Sequence, residues 1–238
     1  NFWQKIIMEC IILAGGLGTR LQSIVSDLPK CMASVAGKPF LHYLLTSLEQ
    51  KGFNHVILSL GYKHEMVIEW LKTFNTKLKV SWVVEQEPLG TGGALRFASQ
   101  AMLTDKAFII NGDTYFEVDY LGMMQLHEKT KAKVTIALRK MENFSRFGLV
   151  ELEEKTQRIT QFKEKQFCTS GYINGGVYLI GKNTLQKLPE KCSLEKELFE
   201  KNIDSTFIAG FSSNGYFIDI GVPEDYNKAQ IDFRNGVI

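Results

Sequence analysis

Wholly apolar runs alternate with amphipathic stretches of helical period through the first half of the chain. Cys10-Ile11-Ile12-Leu13 has no polar break, which is how a strand covered on both faces reads. On this pattern strands are predicted over Glu9–Ala14, His55–Leu60, Leu78–Glu85 and Phe108–Asn111. Helices are predicted over Phe40–Lys51, Glu65–Phe74, Gly93–Met102 and Tyr120–Thr130. The first helix sets Phe40, Leu41, Leu44, Leu45 and Leu48 on one face and stops at Gly52. Strands alternating with helices imply an α/β fold: a mixed, mainly parallel Rossmann-like sheet with helices on both faces.

The second half is richer in strands. These are predicted over Val134–Arg139, Gly148–Leu152, Ile159–Glu164, Gly176–Ile180, Thr206–Phe211 and Tyr216–Ile218, with a turn at Lys155-Thr156-Gln157. Leu194–Lys201 reads as a helix, and Pro223–Phe233 as a final helix with proline near its start. No linker, repeat or low-complexity stretch interrupts the pattern. Residues 1–7 are set aside as an extension or expression remnant, and 8–238 are expected to form one domain. In it 8–140 would serve a nucleotide and 141–238 a sugar.

Composition narrows the class without naming a chemistry. Of 238 residues 45% are hydrophobic and 23% charged, ordinary for a globular protein. A net charge of +2 is too small to argue for nucleic acid, and no apolar run approaches the ~20 residues of a membrane helix. Cys10, Cys31, Cys168 and Cys192 have no metal spacing and read as reduced thiols of a cytoplasmic protein.

The first strand feeds Leu13-Ala14-Gly15-Gly16-Leu17-Gly18-Thr19-Arg20, with Pro29-Lys30 further on. Glycines let successive backbone N–H groups face one concavity, which suits phosphate oxygens, and Arg20 and Lys30 add charge. An ordinary strand-to-helix turn uses the same residues. A Walker loop is excluded, because Met32 stands where its first glycine belongs and Pro39 follows Gly37-Lys38. A dinucleotide fingerprint fails at Leu21, which counts against a nicotinamide oxidoreductase. Asp113, in Asn111-Gly112-Asp113, reads equally as a cation ligand or as a turn aspartate. Asp219 sits among apolar neighbours in Phe217-Ile218-Asp219-Ile220, where a lone charge needs a partner. Glu224, Asp225 and Asp119 have ordinary roles at helix starts. Thr91 would cap the third helix. His42, His55, His64 and His127 match no catalytic spacing, and Trp82 reads as core.

LAGGLGTRL, PK and VAGKPFL (Val35–Leu41), then EQEPLGTGGAL (Glu85–Leu95), INGD, FKEK, INGGVY and FIDIGVPEDY, resemble in order the signature of the sugar-1-phosphate nucleotidyltransferases. The resemblance runs from Met8 across nearly the whole chain. It implies transfer of a nucleotidyl group from a nucleoside triphosphate to a sugar 1-phosphate, with release of pyrophosphate. Within the family, Gly18–Leu41 is most similar to members that pair GTP with a heptose 1-phosphate, in nucleotide-sugar synthesis for surface polysaccharide or capsule. GTP over other triphosphates rests on that likeness alone. Mannose 1-phosphate with GTP, glucose 1-phosphate with dTTP or UTP, and a non-catalytic regulator on the same fold are the alternatives.

The resemblance also assigns residues. Arg20, Lys30 and Asp113 would be catalytic. Leu13, Ala14, Gly15, Gly16, Gly18, Thr19, Gln86, Gly90, Thr91, Gly92 and Asp113 would bind the nucleotide. Gly112, Gly148, Glu164, Lys165, Asn174 and Gly175 would bind the sugar phosphate. Asp113 and Asp219 would hold Mg²⁺. Lys163-Glu164-Lys165 also reads as a solvated strand face, and Gln166 stands where relatives carry proline. The expected partners are these two small molecules, with no nucleic acid or membrane. The oligomeric state, a homo-oligomer included, is open.

Overall fold

The computed structural model describes residues 7–16 and 27–238. The expectations for Gly18, Thr19 and Arg20 lie outside the described residues. The strands are β1 (Glu9–Leu13), β2 (Ser34–Val35), β3 (Lys38–Pro39), β4 (His55–Leu60), β5 (Lys79–Val84), β6 (Lys106–Asn111) and β7 (Thr114–Phe116), then β8 (Val134–Phe144), β9 (Gly148–Glu153), β10 (Arg158–Lys165), β11 (Cys168–Gly181), β12 (Ile208–Ser213) and β13 (Phe217–Asp219). The helices are α1 (Phe40–Gln50), α2 (His64–Leu71), α3 (Gly90–Ala98), α4 (Tyr120–Thr130), α5 (Lys182–Gln186) and α6 (Pro223–Arg234).

Nine strands form one mixed sheet in the order β5-β4-β1-β6-β11-β8-β12-β10-β9. Pairing is parallel through β5-β4-β1-β6 and again between β8 and β12. The other pairs are antiparallel, so the parallel character belongs mainly to the first half. Side-chain alternation along β1 divides the core in two. Cys10 and Ile12 face Phe40, Leu44, Leu48 and α4, and α6 joins this side through Tyr226 and Phe233. Ile11 faces the other way, toward Leu95 of α3 and Phe199. Both faces of the sheet are therefore covered, which explains the unbroken apolar runs. Because α6 packs into the first-half core, the two halves share one hydrophobic interior.

The sheet order reverses at β1. Its neighbours β4 and β6 leave it on opposite sides, and ligands of open α/β sheets lie beyond the carboxyl ends at such a point. Leu13 pairs in register with Asn111, and the Gly112 N–H donates to the Leu13 carbonyl at 2.9 Å. The turns after β1 and β6 are thereby fastened side by side.

Several elements differ from the sequence pattern. β11 runs for 14 residues, far beyond Gly176–Ile180, because its glycines mark a register shift between Asn174 and Tyr178 and not a strand end. Leu194–Lys201 is no regular helix. It holds a π turn at Glu195–Phe199 followed by a 3₁₀ turn at Glu200–Asn202. The β2–β3 hairpin turns at Ala36-Gly37, both with positive φ (47° and 84°), a two-residue turn that the pattern did not flag. Trp82 is not core: it lies on the edge strand β5, 44% exposed. Thr91 does not cap α3, which starts at Gly90 after Leu89 with no side-chain cap.

Candidate active site

Two carboxylates meet at the carboxyl end of the sheet. Asp113 follows β6 and Gly112, and Asp219 ends β13. The short antiparallel pair β7–β13 sets Asp219 opposite Thr114, and the Ile220 N–H donates to the Asp113 carbonyl at 2.9 Å. Thr114 Oγ1 donates to Asp113 Oδ1 at 3.1 Å, and the Gly221 N–H to Asp219 Oδ1 at 2.7 Å. Burial, then the negative charge of Asp113, push the Asp219 carboxyl above its usual range, while Gly221 N–H, Lys30 and Arg146 oppose the shift.

Lys30 reaches this pair from the short turn Lys30–Met32 and forms an ion pair with Asp113. A methyl group placed on Gly221 would stand 2.7 Å from Asp219 Oδ1 and 2.8 Å from Lys30 Nζ. The ammonium group thus lies beside both carboxylates, and Gly221 is glycine because that corner is filled. From the other side Arg146 contacts Asp219 at 3.5 Å and Asp225 at 2.5 Å, with its guanidinium 4.5 Å from the Phe147 ring. Asp225 does lie in the first turn of α6, yet it also holds an arginine that the sequence reading did not single out. The only signal available was a cation next to Phe147-Gly148. Asp119 caps α4, accepting from the Gly122 N–H at 3.0 Å.

Two cavities open from this point. The first, of about 690 Å³, is bounded by Leu13, Ala14, Gly15 and Gly16 after β1, by Gln86, Gly90 and Thr91, and by Lys30, Gly112 and Asp113. The second, of about 660 Å³, is bounded by Gly148, Glu164, Lys165, Asn174, Gly175 and Asp219. Asn111 and Glu195 line both. Gly112 therefore faces the first cavity and not the second, where the sugar-phosphate residues gather. Gly92 faces neither: its N–H donates to the Cys192 carbonyl at 2.9 Å, and a Cβ there would meet the Cys192 sulfur at 2.5 Å.

The glycines of Gly90-x-Gly92-Gly93 have a packing cause. A Cβ at Gly90 would lie 2.5 Å from the Cys192 carbonyl oxygen, and one at Gly93 2.2 Å from that of Glu190. The segment before the π turn thus sits directly on the start of α3. Thr91 Oγ1 clips it, donating to Glu195 at 3.0 Å and accepting from the Leu194 N–H at 2.8 Å. Glu85 also lines the first cavity. It accepts from the Leu89 N–H at 3.1 Å and Ser59 Oγ at 3.3 Å, and burial raises its carboxyl above the usual range despite those bonds.

Two buried histidines have partners away from the site. His55 is buried between Glu9 (2.6 Å) and Ser81 (2.7 Å), and His127 bonds Thr135 at 2.8 Å. All four cysteines are free thiols. Among the described residues no group of three or more His, Cys, Asp or Glu could hold a metal, and no helix is long and apolar enough to cross a membrane.

An α/β sheet with two cavities at its switch point, joined at a carboxylate pair between cations, is the arrangement of an enzyme that brings two ligands together. The chain belongs to the nucleotidyl transferase family, whose model matches residues 9–236. It is 45% identical over 230 residues to a D-glycero-alpha-D-manno-heptose 1-phosphate guanylyltransferase of Aneurinibacillus thermoaerophilus, spanning 96% of this chain and 99% of the relative. Identity to the Campylobacter jejuni protein of the same description is 41%, over 92% of this chain and 97% of that one. The crystal structure of HddC from Yersinia pseudotuberculosis complexed with GMP-PN superposes with a TM-score of 0.85 at 37% identity, covering 95% of this chain and all of that one. The protein is thus a nucleotidyltransferase.

Proposed function

We propose that the protein transfers a guanylyl group from GTP to D-glycero-D-manno-heptose 1-phosphate, giving a GDP-heptose and pyrophosphate. The observation that carries the reading is the meeting of the two cavities at Asp113 and Asp219. In it the nucleotide occupies the cavity of Gly15, Gly16 and Gln86, and the sugar phosphate that of Glu164, Lys165 and Asn174. Residues 8–140 supply most of the first wall and 141–238 most of the second, within one domain. Glu85, Gln86 and Glu87 line the first cavity with hydrogen-bond acceptors, which suits guanine, whose N2 amino group is a donor. The heptose rests on the similarity to the relatives.

The sugar phosphate needs no general base, because a phosphate monoester is already largely dianionic near neutral pH, its second pKa being about 6. The barrier is electrostatic and positional, since two anions must approach in line. Lys30 neutralises the α-phosphate region, Lys165 the incoming phosphate, and Arg20 the departing pyrophosphate. Asp113 and Asp219 fit Mg²⁺, which takes hard oxygen donors and is held by one or two carboxylates plus substrate phosphates. Bound there, the ion would supply charge neutralisation for the phosphates.

The test is pyrophosphate release from GTP, dTTP and UTP, each with heptose, mannose and glucose 1-phosphate. GTP with the heptose phosphate should be the most productive pair. Faster turnover with mannose 1-phosphate, or with dTTP or UTP, would reassign the substrates.

A further inference from the structure

Each carboxylate of the central pair already carries a cation, one from the wall of the first cavity and one from the segment that leads into the wall of the second. Lys30, on the wall of the first cavity, pairs with Asp113. Arg146 pairs with Asp219 from the β8–β9 connection, whose next residues, Phe147 and Gly148, line the second. The contacts of Arg146 are unequal. Asp225, at the start of α6, holds it at 2.5 Å and the Phe147 ring lies 4.5 Å away, whereas Asp219 is reached only at 3.5 Å. The guanidinium is therefore anchored on Asp225 and Phe147, and its grip on Asp219 is the weak one. A divalent cation taken up by Asp219 competes for that same oxygen and repels the guanidinium. An arginine released next to Phe147 and Asp219, both on the wall of the second cavity, presents a planar fork of donors, the geometry that binds phosphate through two bonds.

We propose that Arg146 is a sugar-phosphate-binding residue: held by Asp225 and Phe147 beside Asp219, its guanidinium passes to the phosphate of the incoming sugar when a divalent cation takes its place on that carboxylate. The inference rests on the functional reading above. It adds that the metal carboxylates are paired with the site's own phosphate-binding cations, so a divalent ion binds poorly unless phosphates are present to receive those cations. Asp225 and Phe147 are the pivot, keeping the guanidinium within reach of both partners.

Two measurements on R146M and R146K decide it. Mn²⁺ binding without any substrate, followed by the electron paramagnetic resonance signal of the free ion, should tighten at least tenfold in R146M and change little in R146K. The KM for the sugar 1-phosphate should rise at least tenfold in R146M, with the KM for the triphosphate unchanged and partial recovery in R146K. Equal Mn²⁺ affinity in R146M and the wild type, or a parallel rise in both KM values, would overturn the proposal. The Mn²⁺ comparison needs no substrate, so it stands even if the substrate panel reassigns the reaction. R146K keeps the charge and covers the case in which R146M folds poorly.

Discussion

Asp219 stands opposite Thr114 in the β7–β13 pair, so its carboxylate is brought next to Asp113 by backbone pairing and not by side-chain reach. A second bond, from the Ile220 N–H to the Asp113 carbonyl, locks the register at 2.9 Å. The pair is thus as rigid as the strands that carry it. Asp113→Ala and Asp219→Ala should each raise the barrier by several kcal/mol, at least about a thousandfold in rate, through loss of the divalent ion. Pyrophosphate release checks this. Near-normal turnover of either variant at ordinary Mg²⁺ would remove that carboxylate from the site.

Gly221 separates activity from stability. The atoms that a Cβ would strike, Asp219 Oδ1 and Lys30 Nζ, are both ends of side chains that can move aside. Gly221→Ala should therefore cost little folding stability, within about 1 kcal/mol, yet displace the two groups on which transfer depends. A fall of at least about tenfold in kcat, with a melting temperature close to wild type, is expected. Wild-type kcat would show that the corner has slack.

Lys165 ends β10 opposite Gly148 and lines the second cavity, exposed. Lys165→Ala should raise the KM for the sugar 1-phosphate more than that for GTP. Steady-state kinetics with each substrate varied in turn reads the difference, and equal losses for both would place Lys165 elsewhere.

His127 gives the fold a pH dependence unrelated to catalysis. Burial, then Lys106, bring its pKa down to about 4. Between that value and the unfolded value of about 6.5, the unfolded chain binds the proton and the folded one does not, so stability is present above pH 6.5 and lost as pH falls. Urea unfolding of the wild type at pH 7 and pH 5 should differ by roughly 2 kcal/mol from this residue. In His127→Gln the difference should shrink by about that amount. An unchanged difference would mean that His127 is protonated without cost.

Much was legible in the chain because local chemistry determined it. The apolar run of β1, the one-sided leucines of α1 and the Asp119 cap of α4 are short-range patterns, and each element formed close to its expected bounds. Several residues of the family motifs lie on the walls of the two cavities. The misses share one cause, contact between distant segments. Thr91 reads locally as a cap, because nothing nearby shows that Glu195 and Leu194 claim its hydroxyl. Nor does local pattern show that a side chain at Gly92 would collide with Cys192, far along the chain.

The sequence by itself determined the alternation of strands and helices, the glycine turns at strand ends and the charges available for phosphate, since these depend on residues that are near neighbours. Only the tertiary structure decided which charges meet. Lys30 beside Asp113, Arg146 between Asp219 and Asp225, and Gly221 in the corner among them are set by strand pairing and by the docking of α6 on the first-half core. Such contacts leave no trace in local pattern, because the energy that forms them comes from burial of the surrounding apolar faces and not from the charged residues themselves.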